Sequence, residues 1–408
     1  MAALSDRTAR SAARAVARLA MAVVCLALVA AGKPATPAKP GAPAQNGGIE
    51  VKADVALLVD HVTGAVLFEK NPDKLFFPAS LTKMMTVAVA FREVKEGRLD
   101  LTADFPVSEH AWRTGGAPSR TSAMFAPIHS RVTVSDLFQG IMIQSANDGA
   151  IALAEGLAGS EAAFAEKMNA RAKELGMEQT NFANPTGLPD PGNRTTARDL
   201  VKLAAHLVRD HPDLYKIYAQ PEFTYNKIRQ FNRNPLLREF PGADGLKTGY
   251  IKESGYNLVG SAIQSGQRLT VVIGGAQNEK DRAEDARKLL DWGFRTFETV
   301  HLYGADEAIG EAAVFGGTAS GVPVASPKPI AILIQKGNRD KLKARVVYSG
   351  PIKAPVAKGQ PIGRLVVTRN DSVVQEIPVE ALQAVEAGTL RQRAIDGTRE
   401  ILIGLLRR

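Results

Sequence analysis

The chain predicts an α/β (α+β) domain, an antiparallel sheet flanked by helices, followed by a small all-β domain. Three observations predict it. Leu246–Tyr250, Tyr256–Ile263 and Leu269–Ile273 are apolar runs separated by short turns, as successive antiparallel strands are. Between Pro78 and Leu175 apolar residues recur at helical spacing instead. Past Thr299 the texture changes to short alternating segments between Gly and Pro turns. A length of 408 residues is enough for two or three domain cores.

Residues 1–31 carry Arg7, Arg10, Arg14 and Arg18 against Asp6, then an apolar run from Leu19 to Ala31. That is the layout of a secretory signal peptide, with Val29 and Ala31 before the cut and a run short for a bilayer span. The only cysteine, Cys25, lies in this run, and Val24 before it does not suit a lipoprotein signal. The mature chain therefore has no thiol for a disulfide or a cysteine metal site. Residues 32–48 are rich in Pro, Ala, Lys and Gly and read as a spacer.

A domain is expected over residues 49–298. Val51–Asp60 and Ala65–Glu69, joined through Thr63-Gly64, predict a strand–turn–strand unit. Pro78-Ala-Ser80 predicts the start of a helix running through Met84, Met85, Val87 and Val89. Further helices are expected over Leu137–Ile143, Ala150–Leu157 and Glu161–Leu175. Residues 184–198 are dense in turn dipeptides and predict an ordered surface loop. After the three strands a helix is expected from Ala283 to Phe294.

Residues 299–389 predict the β-rich domain, with strands Ile330–Ile334, Ala344–Tyr348, Ile362–Thr368 and Val373–Val379. Residues 390–408 predict a terminal helix with Leu390, Ala394, Ile401 and Leu405 on one side. Its wide apolar face and closing Arg407-Arg408 suit a helix lying in a membrane interface; docking on its own domain is the alternative.

The formal charge is +9, and removing residues 1–31, with four Arg and one Asp, leaves +6. This modest excess suits an anionic envelope surface, and without a dense Lys/Arg run it gives no footing for nucleic-acid binding. Six scattered histidines in no ligating spacing disfavour a metal-dependent hydrolase, so no metal and no cofactor is expected.

Three short motifs carry the chemistry. In Ser80-Leu-Thr-Lys83 the lysine lies at i+3 from the serine, on the same helical face. Serine is a weak nucleophile until a base takes its proton, and Lys83 serves only if its pKa falls, through burial and the nearby cation Lys247. In Ser145-Ala-Asn147 the hydroxyl and the amide, two positions apart in a turn, can face one cleft, one moving a proton and the other anchoring substrate. Lys247-Thr-Gly249 offers a cation and a hydroxyl to an anionic group, and Gly249 admits a close backbone approach at a strand edge. Ser-x-x-Lys alone arises by chance about once or twice in a chain this long. The conjunction of all three, in these contexts, points to serine acyl transfer on a substrate bearing a carboxylate.

The chain resembles the D-alanyl-D-alanine carboxypeptidases of the low-molecular-mass penicillin-binding class, which are serine peptidases. The resemblance runs closely over residues 50–295. It rests on Phe77-Pro-Ala-Ser-Leu-Thr-Lys-Met-Met85, Gln144-Ser-Ala-Asn-Asp-Gly-Ala150, Asn184-Pro-Thr-Gly-Leu188, Thr195-Thr-Ala-Arg-Asp-Leu200 and Asp244-Gly-Leu-Lys-Thr-Gly-Tyr250. It implies the penicillin-binding/serine β-lactamase-like transpeptidase fold, with the site between the sheet edge and the Ser80 helix. By the same resemblance Ser80 is the acylated nucleophile and Lys83 its base, and Ser145 and Lys247 manage protons and charge. Asn147 and Thr248 hold substrate, and the backbone N–H groups of Ser80 and Tyr250 form the oxyanion hole. An arginine just before the helix that follows the sheet assists the terminal carboxylate, and Arg282 is the match. The implied partners are peptidoglycan stem peptides ending in D-Ala-D-Ala, β-lactam inhibitors and the inner-membrane surface. The implied place is the periplasmic face of the cytoplasmic membrane.

Two positions depart from the pattern: Thr186 stands where many relatives carry His, and Ala146 where some carry Gly. Three rival readings exist. A β-lactamase of the main class needs a glutamate over the ester, and between Asn184 and Leu200 there are only Asp190 and Asp199. Endopeptidase action on cross-links stays open. A non-catalytic cell-wall scaffold has no need of Lys83 or Lys247.

Overall fold

The computed structural model describes residues 48–337 and 342–406. The expected signal peptide with Cys25, residues 32–47 of the expected linker, and Arg407-Arg408 lie outside the described residues. Among the described residues one compact unit ends at Phe297 and a second begins at Glu298.

In the first unit β1 (Val55–Asp60) and β2 (Val66–Lys70) form the expected hairpin. Together with β3 (Ala243–Ile251), β4 (Gly255–Gln264) and β5 (Gln267–Ala276) they make a five-stranded antiparallel sheet, in the order β2-β1-β5-β4-β3. Every residue of β1 is buried, which suits its unbroken apolar run, and β3 is an edge strand.

Helix α1 (Lys83–Lys95) is buried continuously from Lys83 to Phe91, so it is apolar nearly all round. The expected start at Pro78-Ala-Ser80 is instead a 3₁₀ turn, Ala79–Thr82, and α1 proper begins at Lys83. The expected helix over Leu137–Ile143 divides into a short α-helix, Val134–Gln139, and a π-helical turn, Gly140–Gln144. That turn ends at Ser145, and α2 (Asn147–Ala158) and α3 (Glu161–Glu174) follow.

Helix α4 (Ala197–Asp210) falls where the sequence reading places none. Its start was encoded all the same: Thr196 Oγ1 accepts from the Asp199 N–H at 3.2 Å, an N-cap three residues ahead of an acidic partner. Helix α5 (Glu279–Thr296) begins four residues before the expected Ala283, because Asn278 Oδ1 caps the Asp281 N–H at 2.8 Å. Gly293 lets α5 lie against the sheet, since a Cβ there would stand 2.6 Å from Leu269 and 2.9 Å from Leu58.

The second unit holds a six-stranded sheet of Leu342–Tyr348, Pro361–Arg369, Ser372–Ala381, Gly321–Ala325, Gly310–Phe315 and Ile352–Lys353, in that spatial order. Phe297–Tyr303 pairs separately with Ile330–Gln335. The four expected strands are present, and their inward residues, such as Ile332, Val346, Leu365 and Val379, make an aliphatic core. Helix α6 (Leu390–Leu406) is tied to this unit by polar bonds: the Gly316 N–H donates to Asp396 at 2.8 Å and Arg393 Nε to the Gly388 carbonyl at 3.0 Å. Leu390 is 84% exposed and Ile395 56%. The side chains from residue 399 onward, including Ile401 and Leu405 of the expected apolar face, lie outside those described. No helix among the described residues is long and apolar enough to cross a membrane.

Candidate active site

The reacting centre is built on two left-handed residues. Ala79, just before Ser80, has φ of +49°, and Ser145 has φ of +69°. Both are buried, and neither residue type adopts this conformation freely.

The Ser80 turn is held from two sides. Gly249 on β3 presses against it, so that a Cβ there would lie 3.0 Å from the Pro78 carbonyl oxygen and 3.2 Å from the Ser80 nitrogen. The glycine is required by the protein's own backbone, a different reason from the substrate approach expected from sequence. On the other side Gly187, at φ +76°, packs so closely that a Cβ would run into the Ala79 carbonyl. The Gly187 loop is pinned in turn by Thr86 Oγ1, which donates to the Pro185 carbonyl at 2.6 Å, and by Lys83. Asn184 Oδ1 closes the loop by accepting from Thr186 Oγ1 and the Gly187 N–H.

Lys83 is 1% exposed and makes three contacts. Its Nζ lies 3.1 Å from Ser80 Oγ, 2.6 Å from Asn147 Oδ1 and 2.6 Å from the Thr186 carbonyl oxygen. The last two groups only accept, so each fixes one N–H of the amine. In the neutral amine the remaining position, facing Ser80 Oγ, is the lone pair. Burial pushes the Lys83 pKa down to about 7, assisted by the cation Arg233 and opposed by Asp148. The sequence reading names Lys247 as the helping cation; the two buried amines do disfavour each other's charge, and Arg233, a residue no motif flagged, adds to the effect on Lys83.

Lys247 is equally buried and donates to the Thr248 carbonyl at 3.1 Å. Burial, with Lys83, Arg233 and Arg282 nearby, holds its pKa well below the ordinary lysine value. Arg282 lies inside the first turn of α5 and not before the helix as expected, because the helix starts at Glu279. It is 6% exposed, its Nε has no partner, and its guanidinium sits 5.7 Å from the centre of the Tyr256 ring.

Asn147 is held on the cavity wall by three bonds: Oδ1 takes Lys83, Nδ2 donates to Thr121 Oγ1 at 2.9 Å, and its N–H donates to the Ser122 carbonyl at 2.7 Å. One Nδ2 hydrogen is left for a ligand. Next to it the buried Asp148 carboxylate accepts from the N–H groups of Met124, Ala126 and Gly149, which fixes the 122–126 loop. The Ser145 hydroxyl is buried and has no partner.

Ser80, Ser145, Asn147, Thr248, Gly249, Tyr250 and Arg282 line one cavity of about 1210 Å³. Lys83 and Lys247 sit buried behind it. All nine sequence-predicted residues therefore gather at one place, and Arg233 joins them on the wall. A nucleophile beside an amine that loses its proton near pH 7, with buried basic groups around it, is equipped to be acylated by a carbonyl whose chain ends in a carboxylate. Neither Asp190 nor Asp199 lines this cavity; Asp190 caps the Gly192 turn and Asp199 receives Thr180 and the Gln179 N–H. Among the described residues no cluster suited to a metal ion occurs.

A family model described as D-alanyl-D-alanine carboxypeptidase matches residues 39–278. The chain belongs to the D-alanyl-D-alanine carboxypeptidase family. A second model, the C-terminal domain of penicillin-binding protein 5, matches residues 297–387. D-alanyl-D-alanine carboxypeptidase DacC of Escherichia coli is 40% identical over 349 residues, which are 85% of this chain and 87% of that one. DacA of Haemophilus influenzae is 38% identical over 343 residues, 83% and 87% of the two chains. The crystal structure of penicillin-binding protein 5 from Haemophilus influenzae superposes with a TM-score of 0.79 at 38% identity, over 83% of this chain and 98% of that one. Penicillin-binding protein D2 of Listeria monocytogenes, solved in an ampicillin-bound form, matches with a TM-score of 0.53 at 30% identity, over 60% and 99%. The fold is therefore the penicillin-binding fold with an added β-rich unit, as the resemblance implied.

Proposed function

We propose that this family member removes the terminal D-alanine from peptidoglycan stem peptides ending in D-Ala-D-Ala, through an acyl-enzyme on Ser80. One observation carries the reading: the amine of buried Lys83, its pKa pushed down to about 7, lies 3.1 Å from Ser80 Oγ while its other two contacts are to pure acceptors. The Ser80 proton passes to Lys83 Nζ while Oγ attacks the carbonyl of the penultimate D-alanine. The N–H groups of Ser80 and Tyr250 receive the oxyanion. The proton on Lys83 passes by way of Ser145, with Lys247 beside it, to the leaving nitrogen, and D-alanine departs, leaving Lys83 neutral again. Water, with its proton taken by Lys83, then attacks the Ser80 ester, and that proton returns to Ser80 Oγ as the acyl group leaves. Lys247, Thr248 and Arg282 hold the terminal carboxylate, and Asn147 steadies Lys83 and the substrate backbone. A penicillin carries a strained amide and a carboxylate in the same relation, so it acylates Ser80 and leaves slowly.

The layout of residues 1–31 supports export, and exposed Leu390 and Ile395 support membrane attachment through residues 390–408. The place of action is then the periplasmic face of the inner membrane.

The test labels the chain from residue 33 onward with fluorescent penicillin, beside Ser80→Ala, while following D-alanine released from a D-Ala-D-Ala peptide. Label lost in the variant, with D-alanine release by the parent, is expected. Label without release refutes the carboxypeptidase reading, and no label refutes acylation at Ser80. Removing residues 390–408 is expected to keep turnover and free the protein from vesicles; continued sedimentation with vesicles refutes the anchor.

A further inference from the structure

Three arginines among the described residues lie over aromatic rings. Arg229 over Phe231 and Arg268 over Tyr215 each pair with a carboxylate as well, Glu222 and Asp244. Arg282, at 5.7 Å from the centre of the Tyr256 ring, makes no ion pair among the described residues, although Glu279 stands one turn earlier on α5. It is nonetheless buried, and its Nε has no partner. A buried arginine ordinarily has its N–H fork filled by a carboxylate. Of charged or aromatic partners this one has only the ring.

The kind of partner decides what the guanidinium can still do. Arginine donates through five N–H groups along the edge of its plane, and a carboxylate partner occupies that edge. An aromatic face attracts the cation electrostatically without supplying such an acceptor. A carboxylate beside Arg282 would compete with the terminal carboxylate of a substrate, and the Tyr256 ring does not.

Tyr256 is itself set firmly. It stands opposite Tyr250 in the β3–β4 register, and the two rings are 4.3 Å apart and inclined by 32°. Beside it Asn257 is fully buried: its Oδ1 accepts from the Gly275 N–H at 2.9 Å and its Nδ2 donates to Ser254 Oγ at 3.0 Å. These bonds tie the start of β4 to β5 and to the β3–β4 turn. One ring thus touches two residues with different parts in the reaction. Arg282 takes the terminal carboxylate, and the Tyr250 N–H receives the oxygen of the carbonyl one residue upstream. Both line the active-site cavity, and Tyr256 does not.

We propose that Tyr256 is a positioning residue: its ring holds the Arg282 guanidinium with the N–H edge open, at a set distance from the oxyanion donor on Tyr250, and so favours cleavage one residue from a free carboxylate. The inference rests on the carboxypeptidase reading above, which gives Arg282 and Tyr250 their ligands.

Two substrates test it, a peptide ending in D-Ala-D-Ala and the same peptide with its C-terminal carboxylate amidated, with released D-alanine or its amide followed. Tyr256→Leu keeps apolar bulk and removes the ring. It is expected to lower the preference for acid over amide in kcat/KM by about tenfold, mostly through KM, as loss of a partly desolvated cation–ring contact allows. Tyr256→Phe keeps the ring and should keep the preference. KM does not depend on how much of a variant has folded, so a poorly folding Tyr256→Leu is still read. An equal loss on both substrates or no loss in Tyr256→Leu, or a lost preference in Tyr256→Phe, overturns the proposal.

Phenylglyoxal modification of Arg282, located by peptide mapping, reads the contact without turnover. It should be faster in Tyr256→Leu and unchanged in Tyr256→Phe; an unchanged rate in both overturns the contact. If the parent cleaves neither substrate, or both equally, the reading above fails, and the modification rates still decide whether Tyr256 holds Arg282.

Discussion

Beyond Phe297 the interior is almost wholly aliphatic, and Ser326 is the one buried polar side chain among the described residues there. Before it, the interior holds Lys83, Lys247, Asp148, His206 and His211. The backbone shows the same contrast. In the β-rich unit the left-handed non-glycine residues among those described are Asp306, Asn370 and Asp371, all of types that accept this geometry, and the last two form the two-residue link between Pro361–Arg369 and Ser372–Ala381, where it matches strand twist. In the catalytic unit they also fall on Ala79 and Ser145, buried and flanking the reacting centre. One unit puts unusual backbone where it is easily borne. The other keeps it where it aims a hydroxyl, and holds it there with packing from Gly187 and Gly249.

The contrast breaks most visibly at Gly187. Gly187→Ala must displace Ala79 and with it Ser80, so penicillin acylation should slow by about a hundredfold or more, the effect of a reacting atom moved by an ångström. Labelling at the parent rate would show that the turn is not held from this side.

Next comes the buried charge. Activity should rise with pH through about 7 as Lys83 loses its proton. Arg233→Ala removes a cation that favours the neutral amine, so the acid limb should move to higher pH, with a greater loss at pH 6 than at pH 9. A parallel drop across the pH profile would reduce Arg233 to packing.

Acid should also separate the units. Burial holds His61 and His211 down to about 4 in the folded state, against about 6.5 when unfolded. Between those values the unfolded chain binds protons that the folded chain does not, so stability falls as pH drops from 6.5 to 4. Trp112 and Trp292, the only tryptophans, both lie in the catalytic unit, and their fluorescence during denaturation at each pH reads its stability alone.

The smallest effect is the most direct comparison. Ala79→Gly relieves a left-handed alanine and should stabilise by about 0.5–1 kcal/mol, while Asn370→Gly should change stability by less than about 0.5 kcal/mol. Equal shifts in Tm would erase the distinction between the two kinds of turn.

Much of this was legible in sequence for identifiable reasons. β1 and the strands after Thr299 are short and strongly patterned, and the three motifs have fixed spacing. Helix α4 is hidden in the sequence because turn dipeptides up to Asn193 mask the Thr196 cap, and the early start of α5 because Asn278 sits among polar residues that read equally well as a turn. Arg233 carries no local signal at all: it reaches the site only because the chain before β3 folds back beside Gln144, where the Arg233 N–H donates to the Ile143 carbonyl. Long-range placement of that kind has no period and no motif to betray it.

Residue 186 meets Lys83 through its backbone oxygen, and its hydroxyl is spent within its own loop. The hold on the catalytic amine therefore does not pass through the Thr186 side chain, which is buried and serves only to shape the loop. At Gly187 the missing side chain is itself the requirement. Two adjacent positions thus act on the site by different means, one by lending its main-chain oxygen and the other by leaving room.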